Sequence, residues 1–218
     1  MKTNFYSLAA LGAFAGAANA LTMQTRLTTS TTQAGALPSL QANADEVTIS
    51  GMSAGAHNSC HMMILLSDTI KGAGCTKGGA FMSEYAEFRR PETTRESLSA
   101  EALDMIAELE ADGKIDPTSN FVDQSDPRAV ILLSADDDGS VPDKNVWGIF
   151  DIYEGLGMIG TDGADGQNLK HVQTGSTGHR FEDTYPQTML SFLYDTLGYD
   201  EIQPSVDSAS LGTYAEFD

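Results

Sequence analysis

Val47-Thr48-Ile49-Ser50-Gly51-Met52-Ser53-Ala54-Gly55-Ala56-His57-Asn58-Ser59-Cys60-His61-Met62-Met63-Ile64-Leu65-Leu66 is the stretch on which the fold turns. Val47 and Ile49 alternate with Thr48 and Ser50, the period-2 pattern of a strand, and Gly51 ends it at a turn. Residues Ala54 to Leu66 then read as a helix. Between the two stands Gly51-Met52-Ser53-Ala54-Gly55, a G-x-S-x-G pattern in the strand–turn–helix setting of a nucleophile elbow. Such a turn is strained and exposes the serine hydroxyl. Small residues two before and two after it are expected because neighbouring backbone passes close. The amide of Ala54, in the first turn of the helix, is placed to donate to a developing oxyanion.

Working outward, strands and helices continue to alternate. A small-residue strand is expected around Ala73 to Gly78, followed by an irregular polar stretch to about Arg95. Ser99 reads as a helix N-cap with Glu101 in the first turn; Leu103, Ile106, Ala107 and Leu109 form the stripe, and Gly113 stops it. Ala129 to Leu133 is a continuous apolar run, as in a strand buried on both faces. Pro142 to Gly155 reads as a helix, Leu169 to Thr174 as a fourth short strand, and Thr188 to Leu197 as a last helix stopped by Gly198. This alternation predicts an α/β fold with a parallel sheet covered on both faces.

A serine hydroxyl needs a neutral imidazole to take its proton and a carboxylate to orient that imidazole. The strand at Ala129 runs into Ala135-Asp136-Asp137-Asp138-Gly139, which puts three candidate acids at a carboxyl strand end. The strand at Leu169 runs into Gly175-Ser176-Thr177-Gly178-His179, so His179 lies at another. Open α/β sheets build their sites along that edge, so Ser53, one of the three acids and His179 are expected to converge there.

The other histidines fit the role less well. His57 and His61 are four apart on the helix after the elbow, a metal-binding spacing, but the glutamate that a zinc-protease helix carries after its first histidine is Asn58 here. His171 falls inside a strand. Neither Asp136 to Asp138 nor Asp162-Gly163-Ala164-Asp165-Gly166 has the twelve-residue loop ending in glutamate that holds calcium. No metal or cofactor is therefore expected. Cys60 and Cys75 fit one disulfide and two buried thiols equally well.

The whole chain has 218 residues, 41% hydrophobic and 20% charged, a composition that excludes disorder and suits about one domain. A formal charge of −19, from 12 basic and 31 acidic side chains, disfavours nucleic acid and anionic membrane as partners. Lys2, the apolar run Phe5 to Ala17 and the triplet Ala18-Asn19-Ala20 read as a secretory signal peptide, residues 1–20. A polar leader, residues 21–44, follows. The expected catalytic core is residues 45–200, and residues 201–218 form a tail.

Several of these pieces together resemble the secreted poly(3-hydroxybutyrate) depolymerases, in particular the circularly permuted kind. They are Ala36-Leu37-Pro38, Val47 to Gly55, Ser67-Asp68, Gly72-Ala73-Gly74 with Gly78-Gly79, Asp138-x-x-Val141-Pro142 and Gly178-His179-x-Phe181. The resemblance covers about Ala36 to the C-terminus. It implies an α/β-hydrolase-like three-layer sandwich with a mainly parallel sheet, with Ser53 as nucleophile, Asp138 as orienting acid and His179 as base. It selects Asp138 over Asp136 and Asp137, a choice that spacing leaves open.

An ordinary sheet of this class has about four strands before the elbow, for which the leader leaves no room. The permuted family places them after the histidine segment, with a second oxyanion amide near a His-Gly-Cys stretch. None of the four histidines here is followed by glycine. The expectation is therefore a permuted and incomplete domain of a secreted, extracellular serine esterase acting on a polyester or small ester. The alternatives are a non-catalytic or truncated secreted protein of the same fold, or an esterase for another extracellular ester.

Overall fold

The computed structural model describes residues 46–83, 90–162 and 168–199. The segments read as signal, leader and tail lie outside the described residues, as does most of the acidic turn 162–166. Five strands form one sheet: β1 (Val47–Met52), β2 (Ile70–Thr76), β3 (Ala129–Ser134), β4 (Gly160–Asp162) and β5 (Leu169–Gln173). Their order is β1-β2-β3-β5-β4, and every neighbouring pair is parallel. The helices are α1 (Ala54–Leu65), α2 (Arg95–Ala111), α3 (Asp143–Gly155) and α4 (Tyr185–Leu197). Among the described residues, no helix is long and apolar enough to cross a membrane.

The sheet separates two cores, and the side-chain alternation of β3 explains why. Val130 and Leu132 point into the larger core, with Ala56, Cys60, Met63 and Ile64 of α1 and Val146, Ile149 and Ile152 of α3. Ala129, Ile131 and Leu133 point the other way, onto Tyr185, Met189 and Leu193 of α4. An uninterrupted apolar run is thus two apolar faces, as burial on both sides requires. On β2, a Cβ at Gly74 would lie 2.7 Å from Met189 Sδ, so α4 sits close to the sheet because that strand carries no side chain there.

Four elements differ from the sequence expectation, the first being β2, which begins at Ile70 and ends at Thr76 instead of running from Ala73 to Gly78. Helix α2 begins a turn earlier than Ser99: Thr94 is its N-cap, accepting from Ser97 N–H while the Ser97 hydroxyl accepts from Thr94 N–H. This reciprocal box uses serine where glutamate or glutamine is usual, which hid it. Ser99 is instead a buried second-turn residue whose hydroxyl donates to Glu96 O. Helix α4 likewise starts at Tyr185 rather than Thr188, with a proline in its first turn. Among the described residues the sheet has five strands rather than four, since the three-residue β4, Gly-Thr-Asp, pairs with β5 although it has no apolar pattern.

The cysteine alternatives resolve to a disulfide. Cys60 of α1 and Cys75 of β2 are bonded, with 6.2 Å between their Cα atoms, and both are buried.

Candidate active site

The turn between β1 and α1 is held by backbone. Ser53 adopts φ 56° and ψ −120°, a conformation that side-chain-bearing residues avoid. Its N–H donates to Thr76 O at 2.9 Å, anchoring the turn to the end of β2, and its carbonyl accepts from His57 N–H to start α1. Gly51 is required sterically: a Cβ there would lie 2.5 Å from the carbonyl carbon of Gly55 and 2.9 Å from Ala56 N. Gly55 is not, because a Cβ there meets nothing within 4 Å. The expectation of close backbone on both sides of the serine thus holds only on the strand side. Ala54 is exposed in the first turn of α1, where an N–H has no partner within the helix.

The loop after β3 brings its three aspartates to different ends. Asp138 is buried, and its Oδ1 accepts from Ser140 N–H at 2.8 Å and Val141 N–H at 2.9 Å. Its Oδ2 lies 2.7 Å from His179 Nδ1. A carboxylate offers only acceptors, so Nδ1 carries the proton and Nε2 is left to accept. Nε2 lies 2.9 Å from Ser53 Oγ. The structure therefore brings Ser53, His179 and Asp138 into one chain of hydrogen bonds from three carboxyl strand ends. Asp137 instead accepts Gly178 N–H at 2.6 Å, beside the histidine, and Asp136 is exposed and accepts from Gln173.

His57 and His61 pack with their rings tilted by 52°, centroids 3.8 Å apart, against the loop that follows β2. His57 Nδ1 lies 3.2 Å from Gly79 O, and His61 Nε2 lies 3.1 Å from Ala80 O and 3.2 Å from Met82 N. Burial, with the neighbouring His57 adding to it, pushes the His61 imidazole down to about 4. Burial lowers His57 as well. His171 is buried with Nε2 2.8 Å from Ser134 Oγ and its ring 4.1 Å from that of Trp147, a packing role. Trp147 itself packs against the larger core. Among the described residues, no three His, Cys, Asp or Glu side chains gather as a metal site would.

Sequence reading missed Lys77. It follows β2, is fully buried, and donates from Nζ to carbonyls on either side of His179. Nothing in Thr76-Lys77-Gly78 announces a buried lysine, since lysine is ordinarily exposed.

No family model matches the chain, and no curated protein matches it. Solved structures do. A PHB depolymerase complexed with an R3HB trimer matches with a TM-score of 0.53 at 16% identity, over 72% of this chain and 54% of that one. The chain has the α/β-hydrolase fold. A PHB depolymerase from Penicillium funiculosum gives a TM-score of 0.47 at 17% identity, over 64% of this chain and 41% of that one. A truncated carbohydrate esterase from gut microbiota gives 0.46 at 16%, over 72% and 61%. The chain spans about half the length of the first of these proteins.

Proposed function

We propose that this chain is a secreted serine ester hydrolase that cleaves short-chain hydroxyalkanoate polyester through an acyl-enzyme. The hydrogen-bonded chain Ser53–His179–Asp138 carries the reading. His179 Nε2 takes the Ser53 proton as Oγ attacks the ester carbonyl, and Asp138 holds the imidazolium that forms. The Ala54 amide faces the oxyanion as one donor. Collapse of the adduct releases the alcohol with the proton from His179. Water then attacks the acyl-enzyme, with His179 again as base, and frees the acid and Ser53.

The substrate class rests on the sequence resemblance, and the likeness of fold is compatible with it. Secretion is supported by residues 1–20 and by the disulfide, which belongs to oxidising compartments. With a charge of −19, nucleic acid is not a fitting partner. A hollow of about 640 Å³ beside the histidine loop is lined by Thr174, Arg180, Glu182, Tyr185 and Thr188, without Ser53 or His179, and is not assigned to substrate.

The test uses two portions of the protein: one is treated with a fluorophosphonate, which reacts only with an activated serine, and the other, left unlabelled, is incubated with a 3-hydroxybutyrate trimer. The proposal expects covalent label on Ser53 and release of free hydroxy acid. Labelling without trimer hydrolysis would overturn the substrate class, and absence of labelling would overturn the enzyme.

A further inference from the structure

We infer that Lys77 is a positioning residue that holds the His179 loop in register with Ser53. This rests on the reading of those residues as a catalytic pair. The residue pair Thr76–Lys77, at the end of β2, touches all three arms of the site. Thr76 O accepts the N–H of Ser53 at 2.9 Å, and Lys77 N–H donates to Leu133 O at 2.8 Å, near the end of the strand that leads to Asp138. The third arm is reached by the side chain. Lys77 Nζ donates to Gly178 O at 2.6 Å, Arg180 O at 2.8 Å and Thr177 Oγ1 at 3.0 Å, with Tyr185 OH at 3.4 Å.

The three short contacts match the three N–H bonds of an ammonium. Two of them are the carbonyls on either side of His179, so the histidine backbone is gripped from both neighbours. The loop needs such a grip, because Gly175 and Gly178 both lie at positive φ, 70° and 57°, and glycine leaves that backbone free to move. Lys77 pays for the arrangement twice. Its charge is taken out of water, 0% exposed, and its backbone sits at φ 53°, which disfavours a side chain. A lysine serving only to fill space would be replaced by an apolar residue at lower cost.

A methionine at this position keeps the length of the stem and removes the donors. In Lys77→Met the loop loses its ties to the end of β2 and keeps those to the loop after β3, such as Gly178 N–H to Asp137. A displacement of about 1 Å between imidazole and hydroxyl costs on the order of 10²-fold in rate. The expected result with p-nitrophenyl butyrate is a kcat lower by about 10²-fold with KM within about twofold, since substrate contacts are untouched.

A second measurement is independent of activity. The proton shared by His179 Nδ1 and Asp138 should give a far-downfield NMR resonance in the parent, identified by its loss in His179→Gln. In Lys77→Met it should vanish by exchange while the methyl spectrum of the core is unchanged. If Lys77→Met does not fold, Thr177→Val removes one of the acceptors with little change of shape, together with the hydroxyl's contacts to Thr174 Oγ1 and Tyr185 OH. It should weaken the resonance and lower kcat by at least about fivefold, as loss of even one hydrogen bond of about 1 kcal/mol implies. A folded Lys77→Met that retains both the resonance and kcat within threefold, or a Thr177→Val that alters neither, overturns the inference. A parent that neither labels nor hydrolyses ester refutes the reading of Ser53, and the resonance comparison still decides Lys77.

Discussion

Gly51 and Gly55 face each other across the elbow so closely that a methyl group on the first would lie 2.6 Å from the carbonyl oxygen of the second. The reverse does not hold, since a methyl group on Gly55 points into open space. The two glycines of the motif are therefore unequal. Gly51→Ala must push backbone against backbone, which has no rotamer through which to yield. It should destabilise by about 2–3 kcal/mol, as overpacking does, and displace Ser53. Gly55→Ala replaces a helical glycine without a clash and should be neutral or stabilising by up to about 1 kcal/mol. Urea midpoints for the two variants, with equal slopes, check this pair.

The aspartates after β3 should rank by what each touches. Asp138→Asn puts an amide against His179 Nδ1 and favours the wrong tautomer, a loss on the order of 10⁴-fold in kcat/KM. Asp137→Asn weakens the bond to Gly178 N–H and should cost only about tenfold. Asp136→Asn should remain within twofold. Ser53→Ala should fall at least as far as Asp138→Asn. Equal losses at all three aspartates would mean that the buried carboxylate is not the one that orients His179.

The disulfide closes a 15-residue separation between α1 and β2, and a loop of that size is stabilised by about 3 kcal/mol. Replacing both cysteines by alanine should lower stability by about that much. Ser53 should still react below the new melting point, because both cysteines are buried members of the larger core and neither belongs to the hydrogen-bonded chain of Ser53, His179 and Asp138. Thermal melts of the parent, the parent with reductant and the double variant distinguish the bond from the packing.

His61 gives the pH dependence. Its imidazole is held at about 4 by burial, against an ordinary 6.5, so between these values the unfolded chain binds a proton that the folded chain refuses. Stability therefore is complete above about pH 6.5 and falls as pH drops towards 4, by about 2–3 kcal/mol from this residue. His61→Gln keeps groups able to meet Ala80 O and Met82 N–H but does not titrate. It should flatten the slope of unfolding free energy between pH 6.5 and 4.5. An unchanged slope would place the dependence elsewhere.

The elbow was legible because three levels agreed at it: alternation in Val47 to Ser50, the turn at Gly51 and a helix from Ala54. The apolar run of β3 and the glycine-ended loop before His179 were legible for the same reason, and carboxyl strand ends gave their meeting place. Which aspartate meets His179 was not, since all three have the same local chemistry and only the loop's turn separates them. The residue that the family resemblance indicated, Asp138, is the one whose carboxylate reaches the imidazole. Lys77 was invisible because its partners lie about 100 positions away, and β4 because three residues carry no period.

The sheet order has a consequence for how the molecule comes to be built. Ser53 and His179 are 126 positions apart, and between their strands stand β2 and β3, each joined in parallel. Parallel pairing cannot proceed by hairpins, and each crossover must lose its chain entropy before the next contact rewards it. The three site residues therefore cannot meet in any partly folded form that lacks β5. Local elements such as α1 can form early and carry the elbow, but the hydroxyl then faces no imidazole. The serine stays chemically quiet in intermediates, and its reactivity toward a fluorophosphonate during refolding should rise only with the slowest phase.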